Sequence, residues 1–156
     1  MNGSVTRFLA VAMGMLVGGH VLALTCSMSA TSLAFGPYNP LSPSAILATN
    51  TLRVTCDGAI GELVHYSIAL GAGGSASYTL REMTGRTGVL QYNLYQDFAR
   101  TLIWGDGQAG TALLQDGYVL SSTSASRSYL VYGRVIPGQN VRVGNYSDTI
   151  SVTLNF

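Results

Sequence analysis

The sequence predicts an all-β domain built as a β-sandwich. The last segment, Tyr146 to Phe156, alternates strictly: Ile150, Val152, Leu154 and Phe156 share one face, and Thr149, Ser151, Thr153 and Asn155 share the other. That period of two is the signature of a half-buried strand. Shorter runs of the same kind recur along the chain with glycine and proline turn signals between them. Gly, Ser, Thr and Tyr are abundant and few segments read as good helix formers, which favours pleated over helical structure.

The strand runs are expected in the following order. Residues 26–35 alternate and give way to a loop punctuated by Pro37, Pro40 and Pro43, which cannot continue a central strand. Residues 50–56 form the second run and 63–70 the third, with Tyr66, Ile68 and Leu70 turned inward. After the loop Gly71–Ser75 come a fourth run from Tyr78 to Met83, a turn at 84–88, and a fifth run from Val89 to Tyr95. The sixth spans Tyr129 to Val135 and ends at Ile136-Pro137-Gly138. The polar, turn-rich stretch 109–128 yields no strand. The seventh is the terminal strand, and nothing follows it to cover its edge, so it is expected to pair with another chain.

Residues 1–23 read as a secretory signal. Arg7 precedes an apolar run from Phe8 to Gly19, which is too short to span a bilayer, and Val21-Leu22-Ala23 supplies a cleavage-type end. The exported domain is then 24–156, with no stable membrane span once the signal is removed. Lys is absent, and with Arg7 gone seven Arg face seven Asp and Glu. A near-neutral chain without a basic stripe excludes nucleic acid as a partner.

Cys26 and Cys56 are the two cysteines, both in the exported part and both within alternating segments. An oxidising compartment and facing strands favour a disulfide. A metal site or catalytic thiol is the competing reading, but no cluster of His accompanies them and His65 stands near no nucleophile motif. No catalytic, cofactor-binding or metal residues are therefore assigned. Gly105-Asp-Gly-Gln-Ala-Gly110 matches a dinucleotide fingerprint in letters but opens no helix, so it reads as a turn after Trp104. Asp97, Asp106, Asp116 and Asp148 sit at turn signals, where Asp commonly satisfies local backbone. Tyr146, after Gly144, stands where sandwich domains place a corner tyrosine whose hydroxyl ties down the preceding bend.

Six ordered motifs resemble the spore coat protein U domain. They are Cys26-x-Met-x-Ala-Thr-x-Leu-x-Phe-Gly-x-Tyr-x-Pro40, Leu52-Arg-Val-Thr-Cys56, Leu90-Gln-Tyr-Asn-Leu-Tyr-Gln-Asp97, Trp104-Gly-Asp-Gly107, Val131-Tyr-Gly-Arg-Val-Ile-Pro-Gly-Gln139 and Gly144-x-Tyr-Ser-Asp-Thr149. That family includes subunits of archaic, Csu-type chaperone-usher pili. The resemblance implies an immunoglobulin-like fold lacking its final strand, completed first by a periplasmic chaperone and then by a neighbouring subunit. It implies a Cys26–Cys56 disulfide and a strand-accepting groove edged by Ile150, Val152, Leu154 and Phe156. Its partners would be the chaperone, an outer-membrane usher and other pilin subunits, and the chain would pass through the periplasm to the cell surface or be secreted. The few residues ahead of Cys26 suggest a subunit that accepts a strand without donating one, as at a fibre tip. Two alternatives are carried: a surface- or carbohydrate-binding adhesin using Tyr38 or Trp104, and a secreted hydrolase, which needs convergent carboxylates or a Ser beside His65.

Overall fold

A computed structural model describes residues 23–156, so the expected signal lies outside the described residues except for Ala23. The chain forms two β-sheets packed face to face. In order the strands are β1 (Thr25–Ala30), β2 (Ile46–Asp57), β3 (Leu63–Leu70), β4 (Arg81–Gly85), β5 (Gly88–Tyr95), β6 (Leu114–Val119), β7 (Ser124–Val135), β8 (Tyr146–Ser147) and β9 (Val152–Asn155). A six-stranded sheet runs β1-β2-β7-β5-β4-β8, and a three-stranded sheet runs β6-β3-β9. The all-β sandwich expected from the alternation is present, and its two facing sheets agree with the immunoglobulin-like fold that the resemblance implies.

The core follows from that alternation. Leu52, Val54 and Cys56 of β2, Leu90, Tyr92 and Leu94 of β5, and Val131 and Val135 of β7 turn inward from the large sheet. Val64, Tyr66, Ile68 and Leu70 of β3 face them from the small one. Trp104 fastens the two sheets together: its backbone N–H donates to Leu94 O at 2.9 Å and its indole N–H donates to Ile68 O at 2.9 Å. Cys26 lies directly opposite Cys56 in the β1–β2 ladder, and the two are bonded, with sulfurs 2.07 Å apart. This bridge links neighbouring strands of one sheet.

Three expectations need correction. The stretch 109–128 is not strandless: it holds β6 and the first half of β7. Its pattern is disguised because an inward position of β6 is Asp116, whose carboxylate is satisfied by Arg127 Nη1 at 2.8 Å and by the Tyr129 hydroxyl. Asp116 is thus a strand residue and not a turn residue. The first run stops at Ala30 instead of reaching residue 35, because the chain leaves β2 after Ala30 pairs with Leu52. The terminal run is two strands in two sheets: β8 pairs with β4, and β9 pairs with β3. Asp148 breaks it, its Oδ1 accepting from Gly74 N at 2.9 Å and from its own neighbour Thr149 N at 2.8 Å, and its Oδ2 accepting from the Tyr92 hydroxyl at 2.8 Å. Gly73 permits this approach. Its φ is +73°, and a Cβ there would stand 2.1 Å from Asp148 Oδ2, a position open only to glycine.

Candidate functional site

Two sheets of unequal width cannot cover each other. β3 is the sole strand partner of β9 among the described residues, so the other edge of β9 carries unpaired backbone groups. Alongside it an apolar cleft of about 390 Å³ opens between the sheets. Its floor is Leu52, Val131, Leu94, Tyr92 and Leu70, one wall is the terminal segment with Tyr146, Ile150 and Val152, and the other is the chain after β1, with Leu33 and Phe35. A second cleft of about 580 Å³ continues it over Met83, Leu90, Val135 and Ile46, between the Leu33–Pro40 loop and the Val141–Tyr146 loop. Leu33, Phe35, Met83 and Tyr146 line both clefts and form the pinch between them.

The residues expected to edge a groove separate on inspection. Ile150 and Val152 line the first cleft. Leu154 pairs across to Ile68 and packs half-buried on the core. Phe156, 58% exposed, lies past the last paired position and borders a shallow depression on the far face of β3 with His65 and Ser67. The Tyr146 hydroxyl donates to Arg142 O at 2.8 Å, four residues upstream. Thr31, Asn50 and Asp148 are among the polar groups that line the first cleft.

The supports of the groove are buried and polar. Arg81 is fully enclosed, and its guanidinium donates to Gly71 O at 3.0 and 2.8 Å, to Trp104 O at 2.8 Å and to Asn93 Oδ1 at 2.6 Å. Burial lowers the pKa of this guanidinium, with nearby phenols and Asp148 working against the shift. Asn93 in turn donates to Tyr78 O and Thr79 O, so the 70–79 loop is held by an all-satisfied polar cluster. Tyr92 is raised above its ordinary pKa by burial and by its hydrogen bond to Asp148. It therefore stays a neutral donor.

Other candidate residues are placed elsewhere. Trp104 is completely buried, so it cannot be the exposed contact aromatic expected for an adhesin. The Tyr38 hydroxyl is taken up by Ile136 O at 3.2 Å and Gln139 N at 2.7 Å. Phe98, 77% accessible, is more exposed than Phe156 and lies against Tyr132 and Arg100 on the outer face of the large sheet. His65 and Ser67 share the shallow depression on β3, but no hydrogen bond joins them among the described residues, and the Asp116 carboxylate of neighbouring β6 turns inward to Arg127 and Tyr129. Among the described residues no group of three or more His, Cys, Asp or Glu is placed to hold a metal, and no helix is long and apolar enough to cross a membrane. The Gly105–Gly110 fingerprint is a turn held by Asp106 Oδ1, which accepts from Gln108 N at 2.9 Å.

The fold and site define an immunoglobulin-like β-sandwich with an apolar groove open along its last strand. The chain belongs to the Spore Coat Protein U domain family, which matches residues 13–153. It is 34% identical over 134 residues to Protein U of Myxococcus xanthus, an alignment covering 80% of this chain and 72% of that protein. Among solved structures it is similar to a chain of the complex between chaperone CsuC and tip adhesion subunit CsuE, from the archaic chaperone-usher Csu pili of Acinetobacter baumannii. The TM-score is 0.60 at 17% identity, over 86% of this chain and 40% of that one. This second likeness is one of fold, and the chain spans less than half the length of that relative.

Proposed function

We propose that this chain is an exported structural subunit of a chaperone-usher surface pilus or coat, and that its groove accepts a strand from another chain. The observation that carries this reading is the coincidence of the unpaired β9 edge with the apolar floor of Leu52, Leu70, Leu94 and Val131. An added strand would gain main-chain hydrogen bonds along the edge and burial for alternate side chains, the two components of strand addition. Family membership supports it, and so does a fold like that of a chain in a chaperone–subunit complex. In this reading residues 1–23 are removed on export, a periplasmic chaperone occupies the groove first, and an usher and neighbouring subunits follow. Ile150 and Val152 line the seat of the added strand, with Leu154 supporting it from the core side and Phe156 at its outer end. The protein performs no catalysis.

The reading is tested by co-expressing the full chain with the pilus chaperone of its own host and purifying through a tag on the chaperone. The wild-type chain should co-purify and should aggregate or be degraded without the chaperone. Ile150→Asp with Val152→Asp should abolish the complex by placing two carboxylates on the groove wall. Undiminished co-purification of that variant would remove the groove from consideration. The terminal place in a fibre is carried as an expectation of the same reading, and homopolymers growing from the exported chain would overturn it.

A further inference from the structure

Between Thr31 and Tyr38 the chain crosses the groove mouth as a strap. Its two ends are hydrogen-bonded. The Thr31 hydroxyl donates to Asn50 Oδ1 at 2.8 Å while the Asn50 amide donates to Thr31 O, and Tyr38 is fixed by Ile136 and Gln139. Between these anchors residues 32–37 make no hydrogen bonds among the described residues. They are held instead by two side chains that alternate inward, Leu33 and Phe35, while Ser32, Ala34, Gly36 and Pro37 stay exposed. Leu33 and Phe35 settle on β7 at Gly133, where a Cβ would stand 2.7 Å from both of them, and Phe35 meets the Tyr92 ring edge-on at 5.7 Å. Gly36, with φ +75° and open space around it, is a ready pivot.

We propose that this strap is a displaceable occupant of the groove. In the free subunit Leu33 and Phe35 cover the part of the large sheet's inner face at which the two clefts meet, and so divide them. A strand long enough to fill both clefts must lift these side chains, and the strap swings out between its anchors. No strand hydrogen bonds need to break, because 32–37 has none to lose, so the barrier is the exposure of two apolar side chains. The strap thus sets how fast the groove fills and shields its floor while it waits. This inference rests on the strand-accepting reading above and adds the step that regulates it.

The test uses the exported chain and a fluorescent twelve-residue peptide of alternating Val and Thr. Binding is followed by anisotropy, and strap release by chymotrypsin cleavage after Phe35. Bound peptide should expose Phe35 and raise cleavage there at least several-fold over the free protein. Leu33→Ser with Phe35→Ser, and separately Gly133→Ala, which crowds the strap from its seat, should each speed peptide uptake about tenfold. Binding that leaves Phe35 as protected as before, or uptake by both variants at or below the wild-type rate, overturns the strap while leaving strand acceptance intact. No binding by any form, with Ile150→Asp and Val152→Asp indistinguishable from wild type, overturns both. Cleavage on the wild-type chain decides the question even if a variant fails to fold.

Discussion

Asp148 is the residue on which the groove wall depends. One carboxylate receives two backbone N–H groups and the Tyr92 hydroxyl, so its loss orphans three donors at once. The two backbone donors are exposed and can turn to water, whereas the Tyr92 hydroxyl is part-buried and pays the larger penalty. Asp148→Ala should therefore destabilise the domain by about 1–3 kcal/mol in urea titrations followed by Trp104 fluorescence, with Asp148→Asn recovering part of the loss. Asp116 answers to pH instead. Burial acts to raise its pKa, but hydrogen bonds from Tyr129, Gly117 N–H and Arg127 outweigh that and hold it below the ordinary carboxylate value. Its folded pKa lies below its unfolded one, so its contribution is complete above the unfolded value and is lost as pH falls through the folded one. Stability should decline on acidification below about pH 4, and Asp116→Asn should flatten that decline. A pH–stability profile of the variant that keeps the wild-type slope would show that other carboxylates govern it. Both residues were read from the sequence as turn formers. Asp148 does serve a backbone bend, whereas the side-chain partners of Asp116 are eleven and thirteen positions away in β7, a distance at which no local rule sees them.

At the scale of strands, what could be read in advance was set by how cleanly polar and apolar residues alternate. β3 and β5 were legible to within a residue because Val64, Tyr66, Ile68 and Leu70, and Leu90, Tyr92 and Leu94, put an apolar side chain at successive inward positions. β6 was illegible because Asp116 and Gly117 interrupt the pattern, and the first half of β7 because Ser124, Ser126 and Ser128 make its outer face resemble a loop. The terminal alternation was real but was divided between two sheets, since period two records which way a side chain points and carries no record of the sheet it belongs to. Leu33 and Phe35 also alternate, yet they pack against Gly133 without a strand partner. A glycine inside the apolar run Val131 to Val135 was the available signal for that close approach. The β1–β2 junction yields a further expectation. With a sequence separation of 30, reducing Cys26–Cys56 should cost about 3–4 kcal/mol on the chain-entropy account, seen as a lower urea midpoint in reductant and reproduced by Cys26→Ser with Cys56→Ser.

Among the described residues the sandwich is asymmetric: six strands face three. One flank of the sandwich is sealed by Asp116, Arg127, Tyr129 and Tyr66, which link β6 to β7 across the sheets. The opposite flank, beside β9, has the strap where a strand would be. That the two flanks differ was not legible in the sequence, because the contrast arises from contacts between residues more than sixty positions apart, such as Tyr66 with Tyr129. A subunit in a surface fibre would also bear load, and here the bond between Cys26 and Cys56 acquires a mechanical meaning. Load borne by an accepted strand enters through the groove, and the strap beside it belongs to the loop that the Cys26–Cys56 bond closes onto β2, the strand that pairs with β7 along its whole length. A strap dragged outward is thus tethered at both ends to the same rigid ladder. It could be drawn out by only about 50 Å, half the contour of the closed loop, before the sulfurs took up the pull.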